Sequence, residues 1–232
     1  MTMLAACDRV LVIAPHADDE VLACGGTMAR LADQGAEVFV QFMTVDGFHH
    51  YGLDGTTTFD QRVAEIEDVA ALLSFEWDIA YGDQDLIEKL DTVPKRDLVD
   101  RFEQRINDLE PDLVLVPSGA DYDQDHVATF ETAIAALRPI SPAFGKWLVP
   151  QVLVYESPKI MWWVDDIPRP EAFVDISEVI DRKQAALAAY VSQARPSPHI
   201  RSPEAVAALA CLRGKEIGVD HAEAFSVLRT VL

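Results

Sequence analysis

Two short segments of this chain are dense in side chains that bind cations or move protons. The first, APHADDE (residues 14–20), offers His16, Asp18 and Asp19; the second, GADYDQDH (residues 119–126), offers Asp121, Asp123, Asp125 and His126. Imidazole nitrogen and carboxylate oxygen suit a borderline divalent ion such as Zn²⁺, whose catalytic sites use three protein ligands and keep a further position for water. His16, Asp19 and His126 make such a set, two histidines and one carboxylate. A divalent ion lowers the pKa of a coordinated water from about 15.7 towards ~7, so a neighbouring carboxylate can take its proton near neutrality. Asp18, beside a ligand but facing another way, is the candidate base. The expected chemistry is attack by the resulting hydroxide on an amide carbonyl.

Each of these residues also has a plainer reading. Asp18 or Asp19 could simply cap the free N–H groups of a following helix. A lone histidine at a strand end more often makes a hydrogen bond than holds a metal. Asp121, Asp123 and Asp125 could form a solvated acidic turn or a calcium loop, but Thr132 falls at the last loop position, where calcium loops place an acidic ligand. An Fe(II) oxygenase also uses two histidines and a carboxylate. Its usual β-barrel conflicts with the strand–helix alternation described next. What favours a metal site is the recurrence of His and Asp after two different strands.

Those strands are legible as short apolar runs. RVLVIA (9–14) and DLVLVP (112–117) have the near-continuous apolar character of central parallel strands buried on both faces. EVFVQFMT (37–44) and QVLVYE (151–156) are further strands, with a weaker one near 77–81. Between them, Val21, Leu22, Gly25, Met28, Ala29 and Ala32 recur at helical spacing, with Gly35 placed as a C-terminal cap. Val63, Ile66, Ala70 and Leu73 mark a second helix from Gln61, Pro94 begins a third running to about Leu109, and residues 127–138 form a fourth. Alternation of this kind predicts an α/β fold, a parallel sheet with helices on both faces. Sites in such folds lie beyond the carboxyl ends of the strands, where both chemical clusters fall. After residue 156 come a Trp/Pro-rich connection, a short strand at 172–175, helices at 177–193 and 203–213, and an extended stretch at 223–231. A single domain over residues 1–232 is expected, with a core at 8–156 and a C-terminal elaboration at 157–232.

Composition narrows the partners. The 39 acidic and 19 basic residues give a net charge of −20, which repels polyphosphates and anionic headgroups. No run of Lys and Arg offsets it. Nucleic acid and membrane are therefore not expected partners, and the bland role of this charge is solubility. The longest apolar run, Ala205 to Leu212, falls well short of the ~18–20 residues of a membrane span. No basic stretch followed by an apolar region opens the chain, so a cytoplasmic location is expected. Cys7, Cys24 and Cys211 are odd in number and widely spaced, as for reduced thiols.

Taken together, PHADDE and DYDQDH resemble the paired motifs of the PIG-L/LmbE-like N-deacetylases: His-x-Asp-Asp after the first strand and His-x-Asp-His after a later one. The similarity extends to RVAEIEDVAALL (62–73), RKQAALAAYVSQ (182–193) and HAEAF (221–225). It implies a Rossmann-like three-layer sandwich with a mostly parallel sheet. It also implies a zinc-dependent hydrolase acting on N-acetylglucosamine-type sugars, with Fe²⁺ as another metal such a site accepts. His16, Asp19 and His126 would be the ligands, Asp18 the base, and Arg62 a substrate-binding residue. From the residues alone, Arg62 could equally pair with Glu65 on an exposed helix face.

Ala17 replaces a frequent proline, and Asp123 replaces the first histidine of the second motif. That histidine is expected to stabilise an oxyanion or protonate the leaving amine. An ionised carboxylate does neither as a donor. Either Asp123 has a raised pKa, or another group takes the role, or activity is altered. Asp125, the third catalytic candidate, would support a ligand from behind. His49 and His50 could shape the entrance or donate that proton. Trp162 and Trp163 could stack on a sugar, or make a core or homo-oligomer contact. The expected partner is a soluble small molecule or oligosaccharide. The alternatives are an amidase for another small-molecule amide and a non-catalytic sugar-binding relative.

Overall fold

The computed structural model describes residues 7–45, 57–82, 84–140, 142–158 and 169–231. Its first strand, β1 (Arg9–Ala14), runs along the middle of the sheet and alternates its side chains between two cores. Val10, Val12 and Ala14 enter one apolar cluster, while Leu11 and Ile13 enter the other. Successive side chains of a strand point to opposite faces, so a strand covered on both faces is apolar at every interior position. The same division recurs in β4 (Leu113–Val116), where Leu113 and Leu115 face one core and Val114 and Val116 the other.

The seven strands are ordered β3-β2-β1-β4-β5-β7-β6, with β2 (Glu37–Phe42), β3 (Glu76–Ile79), β5 (Gln151–Tyr155), β6 (Ala172–Asp175) and β7 (Ala222–Thr230). The five strands from β3 across to β5 are mutually parallel, and β7 pairs antiparallel with both β5 and β6. The first core contains residues of α1 (Asp19–Asp33), α2 (Phe59–Leu73), α5 (Ile180–Ala189) and α6 (Pro203–Ile217). The second is covered by α3 (Lys95–Leu109) and α4 (Gln124–Ala136). This is the expected three-layer α/β arrangement, with a mixed, mostly parallel sheet. The chain leaves β1 towards β2 on one side and returns through β4 on the other. The loops after β1 and β4 therefore diverge across a topological switch point, where such sheets form a crevice.

Several boundaries differ from the sequence expectation, each for a local reason. α4 starts at Gln124, not 127, because Asp123 caps it by accepting the Asp125 N–H at 2.9 Å. Asp125 and His126 consequently lie in its first turn. α2 begins at Phe59 behind Thr58, whose side chain accepts from the Gln61 N–H. The helix expected over 177–193 is shorter, and the chain turns out at Tyr190 into a 3₁₀ turn over Val191–Gln193. α6 runs on to Ile217. α1 is interrupted at Cys24 (φ −136°, ψ 19°). Glu223 of β7 restarts it by accepting the N–H groups of Gly26 and Thr27 at 2.9 and 2.7 Å. Lys183 neutralises that buried carboxylate at 2.6 Å and also donates to the Leu22 carbonyl. At Gly26 a side chain would sit 2.8 Å from Ile176, so the helix packs against this neighbour only with hydrogen there. Cys7, Cys24 and Cys211 are unpaired, and no helix among the described residues is long and apolar enough to cross a membrane.

Candidate metal centre

Beyond β1 the chain makes a sharp turn through His16, Ala17 and Asp18 before α1 begins. Asp18 adopts φ 139°, ψ −24°, a region that costs a non-glycine residue on the order of 1–3 kcal/mol and persists only where surroundings enforce it. Here the enforcement is visible. The Asp18 N–H donates to Glu20 Oε2 at 3.1 Å, the Asp18 carbonyl accepts the Leu22 N–H at 2.9 Å, and Arg62 donates to the Ala17 carbonyl. Asp18 stands at the helix N-cap position but its side chain makes no capping bond. Asp19 instead accepts the His16 N–H through Oδ2 at 3.0 Å. The simple capping role is therefore not what either carboxylate performs.

The second segment arrives from β4. His126 Nε2 lies 3.2 Å from Asp19 Oδ2, and the His16 and His126 rings are 5.5 Å apart. One ligand atom from each of His16, Asp19 and His126 lies within 4.8 Å of the others, close enough to share one ion. Each imidazole is fixed from behind by a carboxylate. His16 Nε2 donates to Asp125 Oδ2 at 2.9 Å, leaving Nδ1 on the Asp19 side at 3.5 Å. His126 Nδ1 donates to Asp121 Oδ2 at 3.0 Å. Such partners fix the ring orientation and raise ligand basicity in histidine metal sites. Asp125 is fully buried and also accepts the N–H groups of Glu88 and Leu90, at 2.6 and 2.8 Å. That arrangement is neither a solvated turn nor a calcium loop.

Two properties fit this set to a cation. His126 Nε2 is buried and makes no hydrogen bond despite its closeness to Asp19, as for two ligands that would face one ion. The local field also favours positive charge. Burial alone would lower the His16 pKa, yet Asp125 and Asp19 hold it up to about 9. Burial would likewise raise Asp19, but His126 and His16 keep it well below the usual carboxylate range. Asp18 is different. Burial pushes it up, against the opposing pull of Arg201, whose Nη1 lies 3.6 Å from Asp18 Oδ2.

Asp123 is half-buried, and a ligand atom of it lies within 4.8 Å of ones from His16 and Asp125. Its Oδ1 is occupied as the cap of α4. Arg62 pairs with Glu65 at 3.1 Å as one sequence reading held, but both are buried rather than exposed. Its side chain is 4% exposed, and its guanidinium also donates to Ser192 Oγ at 3.0 Å. Behind the turn, Glu20 is fully buried, accepts the Tyr190 hydroxyl at 2.5 Å, and is pushed up to about 8 by burial. His49, His50, Trp162 and Trp163 lie outside the described residues.

Sequence reading missed the supporting roles of Asp121, Glu20, Tyr190, Ser192, Lys183, Glu223 and Arg201. One signal was present: Arg62 is in helical phase with Ile66, Val69 and Leu73, and Lys183 with Leu187, so both fall on apolar stripes.

Comparison with known proteins bears on the same segments. A family model described as GlcNAc-PI de-N-acetylase (PIG-L) matches residues 11–137. The uncharacterized deacetylase YaiS of Escherichia coli (strain K12) is 28% identical over 165 residues, 69% of this chain and 78% of that protein. The conserved protein TT1542 from Thermus thermophilus superposes with a TM-score of 0.75 at 29% identity, over 97% of this chain and 96% of that one. N,N'-diacetylchitobiose deacetylase from Pyrococcus horikoshii gives a TM-score of 0.72 at 25% identity, over 96% and 84% respectively.

Proposed function

This chain belongs to the GlcNAc-PI de-N-acetylase (PIG-L) family, and from that premise we propose that it is a zinc-dependent hydrolase removing the acetyl group from an N-acetylglucosamine-type sugar on a soluble small molecule or oligosaccharide. The observation that carries this reading is the meeting of His16, Asp19 and His126 within ligand distance, with Asp18 beside them. The diacetylchitobiose deacetylase, similar along nearly the whole chain, acts on an acetylated amino sugar by its name.

His16, Asp19 and His126 would hold the ion. A divalent ion there supplies Lewis acidity towards water and the amide carbonyl. Asp18 takes the proton of the attacking water at its carboxylate. Its burial favours the protonated form, so the same group can return that proton to the departing nitrogen as the C–N bond breaks, giving acetate and a free amine. Asp125 and Asp121 orient the two histidines. Asp123 caps α4 through Oδ1, and one of its ligand atoms stands within 4.8 Å of those of His16 and Asp125. Arg62, buried against the Ala17 carbonyl, holds the strained turn that aims Asp18 rather than reaching substrate.

The test is acetate release from N-acetylglucosamine and N,N'-diacetylchitobiose, before and after complete chelation and after zinc is restored. Activity is expected to vanish with the metal and return with it. Undiminished turnover in verified metal-free protein would remove this mechanism.

A further inference from the structure

The chain is strongly acidic, yet one turn beside the candidate site is cationic. Between the 3₁₀ turn Val191–Gln193 and α6 lie Arg195, His199 and Arg201. Arg201 reaches Asp18 at 3.6 Å, which places this turn at the base. Arg195 has no carboxylate partner among the described residues, and its Nη1 donates only to the carbonyl of its own neighbour, Ala194, at 3.2 Å. Arg195 is half-buried and His199 exposed, so both are open to a ligand.

The like charges act on one another. The Arg195 pKa is lowered by burial and by the charges of Arg201 and Arg62, against the opposing pull of Asp18. That of His199 is lowered by burial, Arg195 and Arg201, which leaves the ring neutral near pH 7. The Arg201 N–H donates to His199 Nδ1 at 3.0 Å, so the neutral ring carries its proton on Nε2. Two guanidinium groups and an imidazole N–H are donors with no acceptor among them. Arg201 is already held by carboxylates, Asp18 foremost, which raise its pKa against burial, so the donors left open to an anion are those of Arg195 and the His199 Nε2–H.

The turn is also built before any ligand arrives. His199 N–H donates to Pro196 O at 3.1 Å, Ser202 N–H to His199 O at 3.0 Å, and Ser202 caps α6 through the Ala205 N–H. Little ordering entropy is then lost on binding.

We propose that the Arg195–Arg201 turn is a recognition subsite for an anionic group, a phosphate or a carboxylate, carried by the acetylated substrate. This deepens the deacetylase reading and rests on it for the word substrate. A chain of net charge −20 selects an anionic sugar at one turn while repelling polyanions elsewhere.

The test compares N-acetylglucosamine with N-acetylglucosamine 1-phosphate, its 6-phosphate, and N-acetylmuramic acid, which carries a carboxylate. In the zinc-loaded enzyme, at least one anionic sugar should exceed the neutral one in kcat/KM by about tenfold, mainly through KM, the scale of one partly exposed charge-assisted hydrogen bond. Which sugar leads separates phosphate from carboxylate. Arg195→Gln should lower the anionic-to-neutral ratio by a similar factor, and Arg195→Lys should restore part of it.

Calorimetric binding of the same sugars is measured in parallel. Anion binding that depends on Arg195, with no acetate released from any sugar, would uphold the subsite and defeat the deacetylase reading. Acetate release with equal or poorer use of the anionic sugars, or a ratio unmoved by Arg195→Gln, would overturn the subsite and leave deacetylation standing.

Discussion

Asp125→Asn should weaken zinc binding without unfolding the protein. The Asp125 carboxylate is fully buried and accepts three hydrogen bonds: from Glu88 N–H and His16 Nε2 on one oxygen, and from Leu90 N–H on the other. Alanine would strand all three donors at ~1–3 kcal/mol each, a large part of the ~5–15 kcal/mol that holds a typical domain together. Loss of metal would then report only unfolding. Asparagine keeps the shape and one acceptor oxygen. Its amide nitrogen must face at least one former donor, so stability should fall by about 1–3 kcal/mol. If the amide oxygen stays on His16 Nε2, the imidazole still keeps its orientation but loses its anionic partner. Removing such support typically weakens metal affinity ~10–100-fold, or about 1.4–2.7 kcal/mol. The assay is competition for zinc against a chelator of known affinity, with thermal melting of the metal-free protein as the folding control. A folded Asp125→Asn variant that binds zinc within about twofold of the parent, well inside the loss such support implies, would refute the view that Asp125 fixes His16 as a ligand.

Other perturbations separate chemistry from architecture. Asp18→Asn should retain zinc but lose about 10²–10⁴-fold in kcat, the range for a general base; full turnover would exclude Asp18 from proton transfer. Lys183→Met leaves Glu223 charged and buried, which costs about 3–5 kcal/mol, so the melting temperature should drop by roughly 6–20 °C in a chain of this size. An unchanged melting temperature would mean that Glu223 already has another counter-charge. Ser177→Ala removes one of the two hydrogen bonds that hold Asp175 below the usual carboxylate range, that of the Ser177 hydroxyl, and leaves the Ser177 backbone N–H in place. Because the folded pKa is the depressed one, the stability the hydroxyl adds is present above the unfolded pKa of about 3.9 and fades as pH falls through the folded value. Parent and variant should therefore differ in urea midpoint at neutral pH and converge in acid; a gap that widens in acid would contradict the sign.

The sequence alone determined those features that depend on neighbours a few residues apart. Apolar runs made β1 and β4 recognisable because a central strand is wet on neither face, spacing of apolar residues located α1 and α2, and Pro94 marked the start of α3. The identity and order of His16, Asp18, Asp19, Asp123, Asp125 and His126 were legible as chemistry, since residue type sets what a group can bind. The sequence reads Asp125 as a support for a ligand, and the structure sets its carboxylate against His16 Nε2. What only the tertiary structure decided was the partner of each polar group buried far from it in sequence. Arg62 and Glu65 look like an exposed helical pair until Ser192 and the Ala17 carbonyl meet them across the interior. Asp121 looks like a solvated turn until α4 turns His126 towards it. α5 stops at Ala189 and the chain turns out at Tyr190, where Glu20 and Glu65 await Tyr190 and Ser192. Side-chain propensity is a local quantity of at most about a kilocalorie per residue, whereas leaving a buried charge or donor unpaired costs several times that. Where the two compete, the distant partner wins, and its position is fixed only when the chain has closed on itself.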